Sequence, residues 1–534
     1  MLPFVWDFCL FYLVVFFLPC CYLNSLFYKN LSLFYYTFHD FTDCKIPKLH
    51  TKESKRFFMF FDFHLKTQGQ IQIQKIPSHS LTPIMILQDL KAKALLESAY
   101  QETGKGRYSL MLLSPAFCLI KENDAYFLLE NQTKTSLSAM DPSKDFLDWV
   151  EFFGSLSPEA KTQDFPLPMR GIGYLGFEFF QEIEGIKNHK KKSMQTYECA
   201  FLFGRDFLIF DHLHDCAYLV SINYAKEKSP LDLLKRIKKL EEKIKNLSPK
   251  DLEQDFHPSK ILSPSPKEDF LEMVEKIKKE ITAGNLLQCV ASTSMQIQSA
   301  LPPIDAYKRL RQNNPSPYMF YFDFGGFQLF GTSPEMMIKI HQQKILIAPI
   351  AGTRKRGKNT AQDLALEAEL KNDEKENAEH LMLLDLARND IGKVAKIGSV
   401  EVTKFKNIER YSQVMHIVSQ VEGDFDGSYS HKDAIFATFP AGTVSGAPKI
   451  QAIKTLYALE PHQRGIYGGL IGYFDGNGNF DSAITIRTAV YQNGIYHLQA
   501  GAGIVQDSRG ELEFLETQNK MRALTSAILQ EKGE

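Results

Sequence analysis

Between an apolar run, AIFATFP, and a helix-like run, PKIQAIKTLYAL, stands AGTVSGAPK, running from Ala441 to Lys449. Two glycines, two small hydroxyl residues and a proline in so short a stretch suit neither a central strand nor a helix interior. The chain must therefore turn here and enter a helix. Pro448 fits the first helical turn, where its missing N–H costs nothing, and Ser445 stands near the cap. A helix N-terminus opened by glycines presents free backbone donors at its positive dipole end. The stretch thus reads as a cradle for a carboxylate or phosphate. Taken alone, it could equally be an ordinary Gly/Pro turn.

At 534 residues the chain exceeds the usual single-domain size, which predicts two domains or one large two-part unit. With 44% hydrophobic and 23% charged residues it can bury a large core. A formal net charge of −1 gives no global field that would recruit nucleic acid or an acidic membrane, and neither is expected as a partner. The basic run Lys187 to Lys192 reads as a solvated loop. A second, Lys235 to Lys245, reads as an amphipathic helix, with Leu231, Leu234, Ile237, Leu240 and Ile244 at helical spacing. Four cysteines precede residue 45, and Cys118, Cys199, Cys216 and Cys289 lack metal-ligand spacing, so a reducing cytoplasm fits.

Residues 1–64 are crowded with Phe, Tyr and Trp. The apolar run Phe8 to Leu18 ends at Pro19, short of the roughly 20 residues a bilayer-crossing helix needs. Asp7 precedes it and no basic flank does, which argues against a secretory signal. This aromatic-rich extension reads as lying upstream of a start at Met59 or Met85, with a weak membrane-like segment as the alternative.

Residues 78–250 show short strands (YSLMLLS, AFCLIKE, AYFLLEN, CAFLFGRDFLIFDH, CAYLVSINY), a Gly-broken strand at GIGYLGFEF and helical periodicity in LQDLKAKALLES. The aperiodic NLSPKDLEQDFHPSKILSPSPKED marks a boundary. Residues 265–530 begin with a helix over Glu268 to Ala283, closed by Gly284. They continue through strands, a long charged helix and more strands to a final helix from about Glu511. The class is α+β with a large antiparallel component.

Two helical segments carry acids in one arrangement. Glu376 and Glu379 in KENAEHLMLLDLARND, and Glu513 and Glu516 in ELEFLETQNKMRAL, are i,i+3 pairs on one face, and Lys520 lies a turn further on. Paired carboxylates of this kind can hold Mg²⁺ directly and through its waters. A solvated helix face is the alternative for either helix alone, but the apolar neighbours argue for burial, and buried acids need a cation. Glu335, His416, Arg487 and Gln288 fall among apolar residues of predicted strands. An Arg in such a place pairs with an anion, and a substrate carboxylate would serve bidentately. His416 by itself reads as a satisfied core histidine.

Together the strings SPEMMIKI, PIAGTRKRG, ENAEHLMLLDLARNDIGKV, RYSQVMHIVSQV, FPAGTVSGAPKIQAI, RGIYGGLIGYF, AITIRTA, QAGAGIV and ETQNKMRAL resemble the chorismate-utilising enzymes, most closely the anthranilate synthase large subunits. The resemblance covers roughly residues 265–530, is thinner before them and ends near residue 78. It implies a β-sandwich core flanked by helices with an intertwined amino-terminal β-rich regulatory domain, and chorismate as substrate. Glu379 and Glu516 match Mg²⁺ ligands, with Glu376 and Glu513 acting through water. Glu335 matches the acid that assists loss of the ring 4-hydroxyl, and His416 a group of the pyruvate-eliminating step. Thr443 and Lys520 complete the catalytic set. Gly352, Thr353, Tyr467, Arg487, Gly501, Ala502 and Gly503 match substrate contacts.

Relatives that add water carry a Lys where this chain has Gln288, and aminodeoxychorismate synthases read PIKGT where it has Ala351. Both differences favour ammonia addition giving anthranilate. An aminodeoxychorismate synthase component and a catalytically inactive tryptophan-sensing subunit are the alternatives. No Gly-x-Cys-x-Gly elbow appears, so glutamine use implies a separate amidotransferase subunit. Glu97 and Ser98 in LLES, with Pro317, Tyr318 and Met319 in NPSPYM, resemble a feedback site for L-tryptophan.

Overall fold

The computed structural model describes residues 61–99, 106–130, 133–159, 165–247, 257–411 and 414–530, all within one compact unit. The aromatic-rich extension up to residue 60 lies outside the described residues.

The first third of the chain supplies strands β1 (Gln70–Pro77), β2 (Ala94–Glu97), β3 (Tyr108–Glu122), β4 (Ala125–Glu130), β5 (Thr133–Ser136), β6 (Ile172–Leu175), β7 (Cys199–Asp211) and β8 (Cys216–Asn223). Next come β9 (Ser259–Ser263), β10 (Gln288–Ser299), β11 (Tyr318–Asp323), β12 (Gln328–Ser333), β13 (Met336–His341), β14 (Lys344–Ile347) and β15 (Ile350–Lys355). Last are β16 (Glu401–Arg410), β17 (Val414–Asp424), β18 (Gly446–Ala447), β19 (Leu470–Phe474), β20 (Phe480–Ile484), β21 (Thr488–Gln492) and β22 (Ile495–Ile504).

Every ladder between these strands is antiparallel, and β3 with β7 forms the seam. Each of the two shares its other edge between two partners. β3 takes β2 along Leu110–Leu112 and β4 along Cys118–Glu122. β7 takes β6 along Cys199–Leu202 and β8 along Asp206–Asp211. From β2 one sheet runs on through β11, β12, β21, β22 and β10. From β6 the other runs through β19, β20, β13, β14 and β17. The two sheets diverge from one seam and share a core that unites Phe320, Phe322 and Leu329 with Ile338, Leu470 and Phe480. Alternate residues of the first sheet, among them Leu95, Met319, Tyr321 and Leu498, pack outward against Tyr307, Leu310, Met521 and Leu524 of the helices Pro303–Asn313 and Gly510–Leu529. The result is a helix-flanked β-sandwich in which amino-terminal strands are threaded between carboxy-terminal ones.

Three local expectations change. LQDLKAKALLES is not one helical stretch. A short helix, Pro83–Asp89, ends it early, and ALLE becomes β2, because pairing on both edges with β3 and β11 outweighs its helical periodicity. The helix expected from the second basic run spans Leu233–Lys245 and starts behind an Asp232 cap, so Leu233, Ile237 and Ile244 turn inward while Leu234 faces solvent. Pro448 is the cap of the helix Lys449–Leu459, not part of its first turn. Ahead of it Gly446–Ala447 pairs with Gln288–Cys289, and the carbonyls of Ser445 and Ala447 accept from Val290 and Leu287. The sheet, not a helix cap, therefore holds the AGTVSGAPK stretch.

Candidate active site

β22 is the floor of the site. Gly501 and Gly503 lie on one face of the strand, and Ala502 between them packs into the sandwich core. Side chains close over both glycines. A Cβ at Gly501 would stand 2.8 Å from the Tyr467 hydroxyl, and one at Gly503 would stand 2.5 Å from Gln288 Nε2 and 3.4 Å from Glu379 Oε1. A larger residue at either position would displace the side chain above it.

On one side of this floor is the acid helix, Glu374–Gly392, capped by Asp373, whose carboxylate accepts from the Glu376 amide. Arg354 grips its first turn, reaching Asp373 at 2.8 Å and Glu376 at 3.4 Å. Glu379 Oε1 accepts a 2.7 Å hydrogen bond from Gln288 Nε2. Burial and the neighbouring Glu379 charge hold the Glu376 carboxyl above its ordinary range. On the other side, the carboxy-terminal helix Gly510–Leu529 brings Glu513, Glu516 and Lys520. Burial first, then the Glu516 charge, raises Glu513, with the Ser508 hydroxyl opposing. Lys520 is shared between Glu516 at 2.7 Å and the Gly501 carbonyl at 2.8 Å. Of the four acids only Glu513 is buried. Glu376 and Glu379 are half-buried and Glu516 is exposed, so the burial expected for all of them holds for one. Among the described residues no group of three or more metal-capable side chains converges.

The remaining residues come from loops and strand ends. Glu335 sits between β12 and β13, buried, and burial pushes its carboxyl up to about 8 against the Thr443 hydroxyl and the Lys520 charge. Thr443 lies in the tight turn Gly442–Val444, which packs on both the acid helix and β22. Its buried hydroxyl approaches Glu335 and, among the described residues, has no hydrogen-bond partner of good geometry. His416 on β17 is buried. Its Nδ1 donates to the Gly352 carbonyl at 2.9 Å, with the Thr353 hydroxyl 3.1 Å away. A carbonyl only accepts, so the proton is on Nδ1 and Nε2 keeps a bare lone pair. Burial, with the Arg487 and Lys520 charges, pushes His416 down to about 4 against the pull of the Gly352 carbonyl. Gly352 itself has φ +67°, and a Cβ there would meet Leu370 at 2.8 Å and Glu376 at 3.2 Å.

Arg487 occupies a left-handed turn, φ 51°, between β20 and β21. Burial lowers its pKa while Tyr467 and Glu516 oppose, and no described residue forms an ion pair or hydrogen bond with its guanidinium. Such a cation, desolvated yet unpaired, is a ready receptor for a carboxylate. Tyr467, pushed up to about 12 by burial, keeps its proton and can donate.

The structure gathers most of the sequence-predicted residues around β22, while Ala502 turns into the core. Sequence reasoning missed the brace beneath them. Fully buried Arg464 binds Glu460 at 2.7 Å and the carbonyls of Val444 and Val290 at 2.6 Å, and its guanidinium lies over the rings of Phe177 and Tyr467. Glu178 accepts from the amides of Arg464 and Gly465, both at 2.9 Å. Glu460 is only four residues from Arg464, but Glu178, Phe177 and Val290 lie far away in sequence, and the only signal was an Arg opening RGIYGG.

The suspected feedback residues lie elsewhere, along a cavity of about 1100 Å³ whose lining comes from both sheets. Ser98, Pro317 and Tyr318 line it with Lys339 and Asp481, and among the described residues the buried Ser98 hydroxyl has no partner. Glu97 and Met319 also border the cavity, though their side chains alternate to the helix side of their strands. There the Glu97 carboxylate takes Tyr307 at 2.9 Å and Arg311 at 2.7 Å.

Residues 96–526 match the chorismate binding enzyme family. The chain belongs to that family. It is similar to anthranilate synthase component 1 of Spirochaeta aurantia, 42% identical over 85% of this chain and 95% of that protein. The component 1 protein of Bacillus caldotenax is 37% identical over 86% of this chain and 93% of its own length. Among solved structures, anthranilate synthase component I from Streptococcus pneumoniae TIGR4 superposes with TM-score 0.69 at 32% identity, covering 85% of this chain and 99% of that one. The menaquinone-specific isochorismate synthase MenF from Escherichia coli shares the fold at TM-score 0.63 and 18% identity, over 87% of this chain and 96% of that one. The chain is therefore a chorismate-binding enzyme of the anthranilate synthase component 1 group. Among the described residues no helix is long and apolar enough to cross a membrane.

Proposed function

We propose that this enzyme converts chorismate and ammonia to anthranilate and pyruvate and is inhibited by L-tryptophan. One observation carries the reading: a proton-bearing carboxyl, a neutral imidazole and an unpaired, half-buried guanidinium are gathered with two acid pairs around β22. A substrate with two carboxylates and a departing hydroxyl needs this inventory. Arg487 and Tyr467 bind the enolpyruvyl carboxylate, together with the backbone at Gly501–Gly503. Glu335, protonated at neutral pH, gives its proton to the ring 4-hydroxyl as ammonia adds at C2. His416, through its free Nε2, serves the second step, in which pyruvate leaves and the ring becomes aromatic. Ala351 offers no amine to attack the ring, which separates this reading from aminodeoxychorismate synthesis.

Glu379 and Glu516, with Glu376 and Glu513 behind them, would hold Mg²⁺. The donors are all oxygen, and burial together with repulsion from Glu379 and Glu516 raises Glu376 and Glu513, a penalty on their charged forms that a divalent cation offsets. When bound, the ion neutralises the ring carboxylate. A separate glutamine amidotransferase subunit supplies ammonia in a reducing cytoplasm, and tryptophan fills the cavity beside Ser98.

The test is anthranilate fluorescence from the full chain with chorismate, Mg²⁺ and ammonium, with and without tryptophan or EDTA. The expected result is anthranilate formed, suppressed by tryptophan and abolished by EDTA until Mg²⁺ is restored. Chorismate consumed without anthranilate, or not consumed at all, overturns the reading.

A further inference from the structure

We infer that Arg354 is a positioning residue for the divalent cation: it fixes the corner from which the acid helix starts, and so sets where Glu376 and Glu379 stand against Glu513 and Glu516. The inference rests on the cation site proposed above and adds to it the group that holds half of that site in place.

The helix Thr360–Asn372 and the acid helix meet at one non-helical residue, Asp373, with φ −70° and ψ 110°. Two side chains hold this corner. Asn377 Nδ2, within the acid helix, donates to the carbonyls of Lys371 and Asp373, both at 2.8 Å. Arg354 reaches in from β15 and takes both helices at once. Its Nε donates to Glu369 Oε1 at 2.8 Å on the first helix, and its Nη2 to Asp373 Oδ2 at 2.8 Å at the corner. Its Nη1 lies 3.4 Å from Glu376 Oε1 and donates at 3.0 Å to the carbonyl of Thr353 in its own strand. A rigid, planar fork of donors can serve four acceptors in this way, and a single ammonium cannot.

Glu376 is held from its other side as well. A Cβ at Gly352 would stand 3.2 Å from Glu376 Oε2, so one carboxylate oxygen rests on Arg354 and the other over Gly352. Gly352 and Thr353 also hold His416, through the Gly352 carbonyl and the Thr353 hydroxyl. The strand that seats the imidazole therefore seats the acid helix too. A guanidinium beside a cation site also repels the cation. Here that repulsion is largely cancelled, because the guanidinium stands among three carboxylates. Position therefore outweighs charge, and the two effects predict opposite outcomes when Arg354 is removed.

Mn²⁺, read by the loss of its free-ion EPR signal, titrates the site in the full chain without chorismate. Arg354→Met is expected to raise the Kd about 10- to 100-fold, the usual loss when a group orienting a metal ligand is removed. Arg354→Lys should raise it less, since it keeps the charge but loses the fork. Asp373→Asn keeps the helix cap and removes the carboxylate that Arg354 holds, so it should also raise the Kd. The double variant Arg354→Met with Asp373→Asn should then bind no more weakly than Arg354→Met alone. Thermal melting checks that each variant is folded, and Arg354→Lys with Asp373→Asn carries the test if Arg354→Met does not fold. An unchanged or lower Kd in a folded Arg354 variant, or losses that add in the double variant, overturns the inference. If the parent itself binds no Mn²⁺, it is the proposed cation site that fails.

Discussion

Lys449 Nζ lies 2.8 Å from the Asp390 carboxylate and 2.9 Å from the Thr438 carbonyl, tying the end of the AGTVSGAPK stretch to the last turn of the acid helix. Both side chains are largely buried, at 13% and 6% exposure. The bridge holds the turn bearing Thr443 in register with the helix bearing Glu379, against which that turn packs. Burial dominates at Lys449, lowering its pKa despite Asp390.

Removing the anion should therefore be severe. Asp390→Ala leaves the Lys449 ammonium buried without its counterion, and breaking a buried pair from one side costs about 3–5 kcal/mol. Lys449→Met should cost less, because Asp390 keeps Lys393 at 2.9 Å. Urea unfolding of the two variants checks the order, and a loss under about 1 kcal/mol for Asp390→Ala would contradict it.

Glu335 sets a pH dependence. Its folded-state pKa, about 8, lies above the ordinary 4.5 because burial disfavours its charge. The folded protein thus holds a proton that the unfolded chain releases, so stability falls as pH rises from about 4.5 to about 8 and is flat beyond. The acid is active only when protonated, so kcat/KM should fall as pH rises through about 8. Glu335→Gln should remove that limb and lower kcat by about 10²–10⁴. A pH–rate profile that stays flat through 8 in the parent enzyme would exclude Glu335 as the acid.

Much of this was legible because chemistry imposes local patterns. The acid pairs declared themselves by i,i+3 spacing, and Glu335, His416 and Arg487 stood out as polar residues in apolar runs. What stayed hidden depends on pairing between distant segments. ALLE has helical periodicity, yet β3 and β11 take it as a strand, and a strand sends Glu97 and Ser98 to opposite faces. No local signal shows that Glu178 braces Arg464 or that Lys449 finds Asp390. Pro448 was misplaced for the same reason, since the sheet partner of Gly446–Ala447 is the distant Gln288–Cys289.

Arg487 should not tolerate replacement even by lysine. Its guanidinium is unpaired, and its planar fork suits a carboxylate bidentately where an ammonium offers a point charge. Charged hydrogen bonds of this kind are worth about 1.5–3 kcal/mol, so Arg487→Lys should lower kcat/KM for chorismate by about 10- to 150-fold. Steady-state kinetics check this, and a loss below about three-fold would remove Arg487 from the carboxylate site.

The cavity beside Ser98 yields the remaining test. β11 pairs with β2 on one edge and β12 on the other, and Tyr318 lies opposite Ser333, two residues before Glu335. A ligand that shifts Tyr318 therefore reaches the catalytic acid through one strand pair, with no need for a longer route. Ser98 is close-packed on one side, where a Cβ at Gly106 would stand 2.7 Å from its own Cβ, and open to the cavity on the other. In Ser98→Phe the ring has room only in the cavity, where it would occupy ligand space while leaving β2 and β11 paired. Tryptophan should then inhibit at concentrations at least ten-fold higher, with kcat and KM for chorismate within two-fold of the parent. Overpacking sets the cost in stability at about 1–3 kcal/mol, small enough for the variant to be assayed folded. Inhibition curves that coincide for variant and parent would place the regulatory ligand away from Ser98.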